Sequence, residues 1–253
     1  MASSSSPSPA SGRSAGRAVV GFDTATEDTA VCATRGGEVL YEALLGLGPD
    51  GGPRHSTALL AEVERAAAMA GGWEAVGALA VGLGPGSFTG IRIGLSTARG
   101  LAASTGLPLR GACTLDALGR ALAERTASEG GPCSLAVLDA RRGELFAGLY
   151  TRAGERLWDP VVLRPEALGE RLGGLGEAPL AAGSGAVRFR HELAGRGVLV
   201  PDDADPVHRV AARHICALAD AEASGDGDGL APIYLRPPDA ARWRERDTSK
   251  RAE

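Results

Sequence analysis

The chain passes from an apolar run into a run of small residues through Gly84-Pro85-Gly86-Ser87-Phe88-Thr89-Gly90-Ile91-Arg92-Ile93-Gly94. The apolar run, 76–83, predicts a buried strand, and the small residues up to about Ser104 predict a helix. Two glycines around the proline let the backbone turn sharply, and Ser87 or Thr89 is placed to cap the helix. The free amides of that helix start could hold an anion. The alternative is a strand-to-helix turn whose glycines serve packing alone.

Generic phosphate-binding and nucleophile motifs do not fit residues 84–94. A dinucleotide fingerprint has two residues between its second and third glycines, whereas three separate Gly86 from Gly90. A Walker loop ends in Gly-Lys-Ser/Thr, but the only lysine of the chain is Lys250. A nucleophile elbow has one residue between its glycine and its serine, but Ser87 follows Gly86 directly. The sequence therefore excludes these three interpretations of the turn.

Residues 84–94 closely resemble the signature of the TsaB family, the dimerisation subunits of the bacterial machinery that makes tRNA threonylcarbamoyladenosine. Further segments follow in the order of that family: VGFDTAT at 20–26, His55-Ser56, LDARRGE at 138–144 and PIYLR at 232–236. The resemblance extends over roughly 18–236. It implies two ribonuclease H-like lobes, as in the actin, Hsp70 and sugar-kinase (ASKHA) superfamily.

Strand and helix patterns recur in the same order in the two halves of the chain. In the first half, they predict strands at 18–23, 29–34, 39–45, 76–83 and 108–112, and helices at 55–70, 88–104 and 115–125. In the second half, they predict strands at 134–139, 144–150, 157–163 and 179–183, and helices at 165–172 and 207–223. Strands that first pair antiparallel and then alternate with helices form a mixed sheet. We therefore expect an α/β protein with a duplicated ribonuclease H-like lobe.

Breaks in this pattern divide the chain into four segments. The low-complexity leader, 1–16, is rich in Ser, Pro and Ala, and the tail, 239–253, is rich in charge, so both are expected to be disordered. A glycine-rich break at 128–132 separates the two lobes. We expect the first lobe, with the interface helices, to span 17–127 and the second to span 128–238.

Charge and cysteine usage exclude several classes of protein. The 253 residues carry 27 basic and 31 acidic side chains, a net charge of −4, whereas a protein that grips RNA directly is more often basic. The cysteines are far apart, without a C-x-x-C pair, which excludes a zinc knuckle and a redox dithiol. There is no apolar run of about 18 residues and no signal peptide, so we expect no membrane span and a cytoplasmic location.

Five residues match the places that surround the nucleotide in ATP-using members of the superfamily: Asp23, Thr24, Asp139, Gly183 and Gly185. A carboxylate at a strand end can orient a hydrated metal ion, and a Gly-Ser-Gly turn lets a ribose approach the backbone. The two lobes would have to face each other across a cleft. The alternative is that these residues are turn formers inherited with the fold.

The histidines argue against catalysis by this chain. The catalytic subunits with which TsaB-family proteins pair carry two closely spaced histidines for a metal. Here His55, His191, His208 and His214 form no H-x-x-x-H pair, and no zincin or Ser-His-Asp spacing is present. We expect His55 to cap or pack at a helix start. We therefore expect no catalytic residue, metal ligand or cofactor in this chain, and ATP and a divalent metal in the partner subunits.

The helix after the glycine-rich turn carries Gly90, Gly94, Ala98 and Ala102 at intervals of four, a flat stripe that another helix could approach. The alternative is that this stripe packs against its own sheet. The resemblance implies that this helix and the 55–70 helix form the subunit interface. The predicted contact residues are His55, Leu59, Val63, Phe88, Gly90, Ile91, Arg92, Gly94, Leu95, Ala98, Arg99 and Ala102.

The resemblance implies a non-catalytic scaffold. It would pair with a TsaD-like catalytic subunit, and a TsaE-like ATPase would join them. The complex would add a threonylcarbamoyl group to N6 of the adenosine beside the anticodon, in tRNAs that read codons beginning with A. We expect tRNA to be reached only through the complex. The alternatives are an autonomous ATPase or small-molecule kinase of the same superfamily, and a homodimeric regulatory or binding module. Where the partner is absent, this chain could also form a homodimer.

Overall fold

The structure, a computed structural model, describes residues 16–127, 133–221 and 229–236. Its first sheet has five strands in the order β3-β2-β1-β4-β5. Strand β1 pairs antiparallel with β2 and parallel with β4. The bounds are β1 Ala18–Asp23, β2 Thr29–Arg35, β3 Glu38–Leu45, β4 Val76–Gly82 and β5 Leu109–Ala112. Both faces of β1 are buried, which is why its sequence is a continuous apolar run rather than an alternating one.

The second sheet repeats the order of the first four strands, as β8-β7-β6-β9. Strand β6 pairs antiparallel with β7 and parallel with β9, as β1 does with its own neighbours. The bounds are β6 Ser134–Arg141, β7 Glu144–Tyr150, β8 Val161–Leu163 and β9 Leu180–Ala182. The duplicated, ribonuclease H-like α/β fold expected from the sequence is confirmed.

Helices cover both faces of each sheet. Helices α1 and α2 share a core with one face of the first sheet, and α7 packs on the other face. Helix α3 contacts α7 and one face of the second sheet, so it lies between the lobes, and α4 to α6 cover the opposite face. The bounds are α1 His55–Met69, α2 Phe88–Thr105, α3 Thr114–Ala127, α4 Pro165–Leu172, α5 Ser184–Arg188, α6 Arg190–Ala194 and α7 Ala212–Ala221.

The helix expected at 207–223 differs from the prediction in its start and its position. Pro206–His208 forms a separate 3-10 turn capped by Asp205, so α7 begins only at Ala212. We expected this helix to complete the second lobe, but its apolar face, including Ile215, packs on the first sheet. The chain therefore returns to the first lobe only at α7, after α5 and α6 have packed on the second sheet.

The strand expected at 157–163 is shorter than predicted. The amides of Leu157 and Trp158 both donate to the carbonyl of Leu149, so the chain loops beside β7 before it can pair. Pairing with β7 starts only at Val161. The short helices α5 and α6 were not predicted. Among the described residues, no helix is long and apolar enough to cross a membrane.

Helix α7 places a histidine in the seam with α3. His214 is 2% exposed, and its Nδ1 lies 3.6 Å from Glu124 Oε1, too far for a good hydrogen bond. Burial, followed by the positive charges of Arg213 and Arg120, lowers the pKa of His214 to about 4. His214 is therefore neutral in the folded protein near neutral pH.

This burial predicts a loss of stability in mild acid. Between pH 6.5 and 4 the unfolded chain takes up a proton at His214 that the folded chain rejects, so the free energy of unfolding falls as pH falls, by about 3 kcal/mol for this site. His214→Leu should flatten the slope, leaving a smaller contribution from His55, whose pKa burial also lowers. Urea unfolding measured across this pH range tests it, with His191→Gln on the surface of α6 as the control. A slope that is equal in His214→Leu and the parent would contradict the assignment.

Candidate functional site

A cleft of about 1160 Å³ lies between the lobes, beyond the ends of β1 and β6. The β1–β2 loop and the turn before α2 form its first-lobe side, and the β6–β7 turn and α5 form the second-lobe side. Its lining contains both apolar and charged residues. The charged side chains are Glu27, Asp28, Arg92, Asp139, Arg141, Arg142, Arg209 and Arg236.

Rim charges of opposite sign pair across the cleft. Arg141, in the β6–β7 turn, forms a short ion pair with Glu27 in the β1–β2 loop. Arg209 donates from Nε to Asp28 Oδ2 at 2.7 Å and from Nη2 to Oδ1 at 2.5 Å. The Asp28 contact raises the pKa of Arg209. The Arg141 pair joins the lobes, and both pairs reduce the positive field that a polyanion would meet in the cleft.

The first of the predicted nucleotide ligands, Asp23, is buried behind the cleft. Its Oδ1 accepts from the Ala25 amide at 2.8 Å, and its Oδ2 accepts from Thr114 Oγ1 at 2.7 Å. Desolvation raises the pKa of its carboxyl group. A side chain at Gly82 would overlap the carboxylate, so β4 also encloses it. Asp23 thus ties the end of β1 to β4 and to the start of α3.

Of the other four residues predicted to surround a nucleotide, three pack inside the lobes and one lines the cleft. Thr24 is buried and donates to the Gly90 carbonyl at 2.8 Å. Gly183, at φ 114°, and Gly185 lie so close to the backbone of β6 that a side chain on either would collide with it. Asp139 alone of the five lines the cleft, and its Oδ2 accepts from Arg188 Nη1 at 2.7 Å. The structure therefore does not bring these five residues together around one ligand.

Metal-binding geometry is absent from the described part of the chain, where no three His, Cys, Asp or Glu side chains cluster as ligands would. His55 shows what one histidine does instead. Its Nδ1 lies 2.9 Å from Thr29 Oγ1 and its Nε2 lies 3.1 Å from the Thr26 carbonyl. Desolvation lowers its pKa. His55 therefore packs at the start of α1 and fixes the β1–β2 loop, as the structural interpretation expected.

The glycine-rich turn holds the start of α2 against the β1–β2 loop. Ser87 caps α2, accepting from the Gly90 amide at 3.2 Å, which confirms the predicted cap. The Ser87 amide donates to the Ala25 carbonyl at 2.7 Å, and a side chain on Gly86 would overlap that carbonyl. A side chain at Gly90 would likewise overlap the Thr24 carbonyl. The glycines are required because two segments of backbone touch.

The small-residue stripe faces the chain's own sheet, as the alternative interpretation of the sequence expected. Next to Gly90, Gly94 packs on Thr24, and Ala98 lies in the core with the strands. A stripe that is used inside the lobe cannot also meet a partner. Eight of the predicted contact residues are buried in this way: His55, Leu59, Val63, Gly90, Ile91, Gly94, Leu95 and Ala98.

The remaining predicted contact residues lie at the surface of α2. Phe88, Arg92 and Arg99 are exposed, and Ala102 is partly buried. The Arg92 guanidinium lies 3.7 Å from the centroid of the Phe88 ring, and its Nε donates to the Tyr234 hydroxyl at 3.2 Å. Arg99 donates from Nη2 to the Leu230 carbonyl at 2.7 Å. These contacts bind residues 230 and 234 of the last described segment to α2.

The sequence analysis missed the outward faces of α1 and α2. On α1, Leu60 is 55% exposed and Met69 is 62% exposed, with Ala61 and Ala68 beside them. On α2, the exposed positions include Ser96, Gly100 and Ala103. We call these seven residues the outer helix face. Their spacing signals an apolar, small-residue surface, but it does not show which side of each helix packs inward.

Comparison with known proteins identifies the family. A family model described as TsaD, tRNA N6-adenosine threonylcarbamoyltransferase, matches residues 49–194. The tRNA threonylcarbamoyladenosine biosynthesis protein TsaB of Escherichia coli K12 is 34% identical over 172 residues, which cover 66% of this chain and 71% of that protein. The chain belongs to the TsaB family.

Solved structures agree with this assignment over most of the fold. YeaZ from Pseudomonas aeruginosa superposes with a TM-score of 0.68 at 26% identity, covering 86% of this chain and 99% of that one. A protein from the same organism, described as uncharacterized with similarity to peptidase YeaZ, gives a TM-score of 0.70 at 27% identity, covering 87% and 99%. The two-lobed architecture is therefore shared with these TsaB-like proteins along nearly their whole length.

The packing of α2 predicts opposite effects for two glycines of the same helix. Gly94→Ala should destabilise the fold by about 1–3 kcal/mol, because the new methyl group would displace Thr24 and break its hydrogen bond to Gly90. Gly100 has open space around it, so Gly100→Ala should stabilise the fold by up to about 1 kcal/mol through helix propensity. Thermal and urea unfolding of both variants measure this. Equal stabilities would contradict the inward orientation of the stripe.

Proposed function

We propose that this TsaB-family chain acts in tRNA threonylcarbamoyladenosine biosynthesis as a non-catalytic subunit that binds a TsaD-like catalytic partner. The observation that carries the proposal is the outer helix face. It is the exposed surface of the two helices that the family resemblance associates with the interface, and it consists of apolar and small side chains.

The chemistry of the outer helix face suits association between helices. Small residues such as Ala61, Gly100 and Ala103 allow a partner helix to approach closely, and Leu60 and Met69 supply apolar side chains that would lose contact with water. Glu64, Arg65 and Arg99 are exposed at its margin and can form a polar rim. In the absence of a partner, the same face can pair with a second copy of this chain.

The geometry of the cleft supports a scaffold more than an enzyme. Asp23 is enclosed, and the carboxylate of Asp139 accepts from Arg188 and from the Arg141 amide. Coordination of a hydrated metal by either carboxylate would require these contacts to break. We therefore assign ATP and the divalent metal to the partners, with a TsaE-like ATPase joining the complex, and the transfer to N6 of the adenosine to the TsaD-like subunit.

We propose that this chain meets tRNA only as a part of the complex, and that the complex acts in the cytoplasm. The arginines at the cleft rim that would attract phosphates include Arg141 and Arg209, and both are paired with carboxylates. This pairing weakens the attraction of these two arginines for a polyanion, and the net charge of the chain is −4.

Substitution on the outer helix face should separate binding from folding. Leu60→Asp should weaken association with the TsaD-like partner by about 30-fold or more, equivalent to about 2 kcal/mol, because it places an unpaired charge in an apolar interface. Leu199→Asp is the matched control, because Leu199 is 53% exposed on the second lobe while Leu60 is 55% exposed. Calorimetric titration measures affinity, and circular dichroism checks folding. A folded Leu60→Asp variant with parental affinity would refute this interface.

The isolated chain should not transfer the threonylcarbamoyl group and should not turn over ATP. The purified chain is supplied with tRNA, threonylcarbamoyl-adenylate and ATP, and modified nucleoside and ADP are measured. Adding the TsaD-like and TsaE-like proteins provides the positive control. Turnover by the chain alone on the order of 1 per second would instead favour an autonomous ATPase or kinase that uses the cleft.

A further inference from the structure

Two of the four cysteines meet in the core, although the sequence has no C-x-x-C pair. Cys32 lies in β2 and Cys216 lies in α7, and both side chains are fully buried. They belong to the apolar cluster between the first sheet and α7. The pair therefore lies where the helix that returns from the second half of the chain packs on the first sheet.

A glycine in β1 makes room for this contact. Gly21 is the cross-strand partner of Cys32, so the two residues point to the same face of the sheet. A Cβ atom on Gly21 would lie 2.5 Å from Sγ of Cys216, so this thiol fills the space that a side chain at position 21 would take. Sγ of Cys216 also lies 3.8 Å from the Cys32 carbonyl oxygen and 3.9 Å from the Val19 carbonyl oxygen. The packing thus holds the thiol of α7 beside Cys32.

The two thiols hydrogen-bond to each other. This contact, followed by burial, raises the pKa of Cys32, so Cys32 is a neutral thiol near neutral pH. A neutral, buried thiol reacts slowly by itself. Once one sulfur is oxidised to a sulfenic acid, however, the other thiol is already in contact with it, and a sulfenic acid condenses with a neighbouring thiol. The geometry therefore favours a disulfide over further oxidation of either sulfur.

We propose that Cys32 and Cys216 are a peroxide-sensitive thiol pair that closes to a disulfide and fastens α7 to the first sheet. The first thiol attacks hydrogen peroxide, the O–O bond breaks, and a sulfenic acid and one water form. The second thiol attacks the sulfenic sulfur, and the S–S bond forms as the S–O bond breaks and a second water leaves. In total, the two thiols lose two protons and two electrons, which reduce one peroxide to two waters.

Local opening of α7 admits the peroxide. On the side of this helix that faces α3, His214 is buried, and its Nε2 has no hydrogen-bond partner among the described residues. A buried polar atom without a partner costs free energy that the opened helix recovers in water. Elements held in this way open locally while the rest of the fold stays intact. The disulfide, once formed, opposes this opening.

Intact mass and thiol counting test the proposal on the full chain without a partner, so the outcome does not depend on the proposed function. The double variant Cys113→Ala, Cys133→Ala leaves Cys32 and Cys216 as the only cysteines. After peroxide treatment and removal of the peroxide with catalase, the chain is unfolded and its free thiols are alkylated. Both thiols should be lost together, and the mass of the monomer should fall by about 2 Da, with reversal by dithiothreitol.

Adding Cys216→Ala to the double variant gives the matched control. The species that is lighter by about 2 Da should not form, because Cys32 then has no second thiol beside it. Oxidation should raise the thermal midpoint of the double variant by about 5 °C or more, because the new bond closes a loop that contains most of the chain. The control should show no such rise. Circular dichroism checks that both proteins are folded.

Four results would each overturn the proposal. Two free thiols after exhaustive treatment would mean that peroxide does not reach the pair in the folded chain. A gain of oxygen without the loss of about 2 Da would mean that the two sulfurs do not bond. Disulfide-linked dimers would place the reaction between two copies. A thermal midpoint that falls on oxidation would mean that the fold must distort to close the bond.

Discussion

The contact between the backbone of the glycine-rich turn and the β1–β2 loop is the constraint on which the first lobe depends. The Ser87 amide donates to Ala25, and Gly86 and Gly90 leave no room for a side chain against the carbonyls they face. Contact this close fixes the direction in which α2 leaves the sheet. It also sets the β1–β2 loop, where Glu27 meets Arg141 of the second lobe and Asp28 meets Arg209 in the segment before α7. One segment thus determines the packing of α2 and the shape of the cleft.

The same constraint decides which face of α2 is available to a partner. Because Gly90 and Gly94 are used for packing inside the lobe, the opposite side of the helix must face solvent. That side carries Ser96, Gly100 and Ala103, and α2 contacts α1, whose exposed residues include Leu60 and Met69. The signature residues therefore lie inside the lobe, and the face of α2 that we propose as the interface is the opposite one.

Much of the fold could be predicted from the sequence, because the relevant signals are local. Apolar runs and helical spacing placed most of the strands and helices, and the Ser87 cap follows from side-chain chemistry at a helix start. Periodicity could not decide which lobe α7 packs on, since an amphipathic helix carries no record of its partner sheet. Periodicity also could not show which side of α2 faces the sheet, because this helix has small residues on two sides. Both the position of α7 and the orientation of the stripe depend on contacts between residues far apart in the sequence.

The two strand-end aspartates show why a sequence pattern does not by itself define a site. Asp23 and Asp139 each follow an apolar strand at the same place in a duplicated lobe. In the first lobe, Gly82 and Thr114 enclose the carboxyl group, so the residue becomes part of the core and its pKa rises. In the second lobe, the carboxylate faces the cleft and is held by Arg188. Both lobes have an aspartate at this position, but the residues around Asp23 differ from those around Asp139, so the two carboxyl groups have different physical roles.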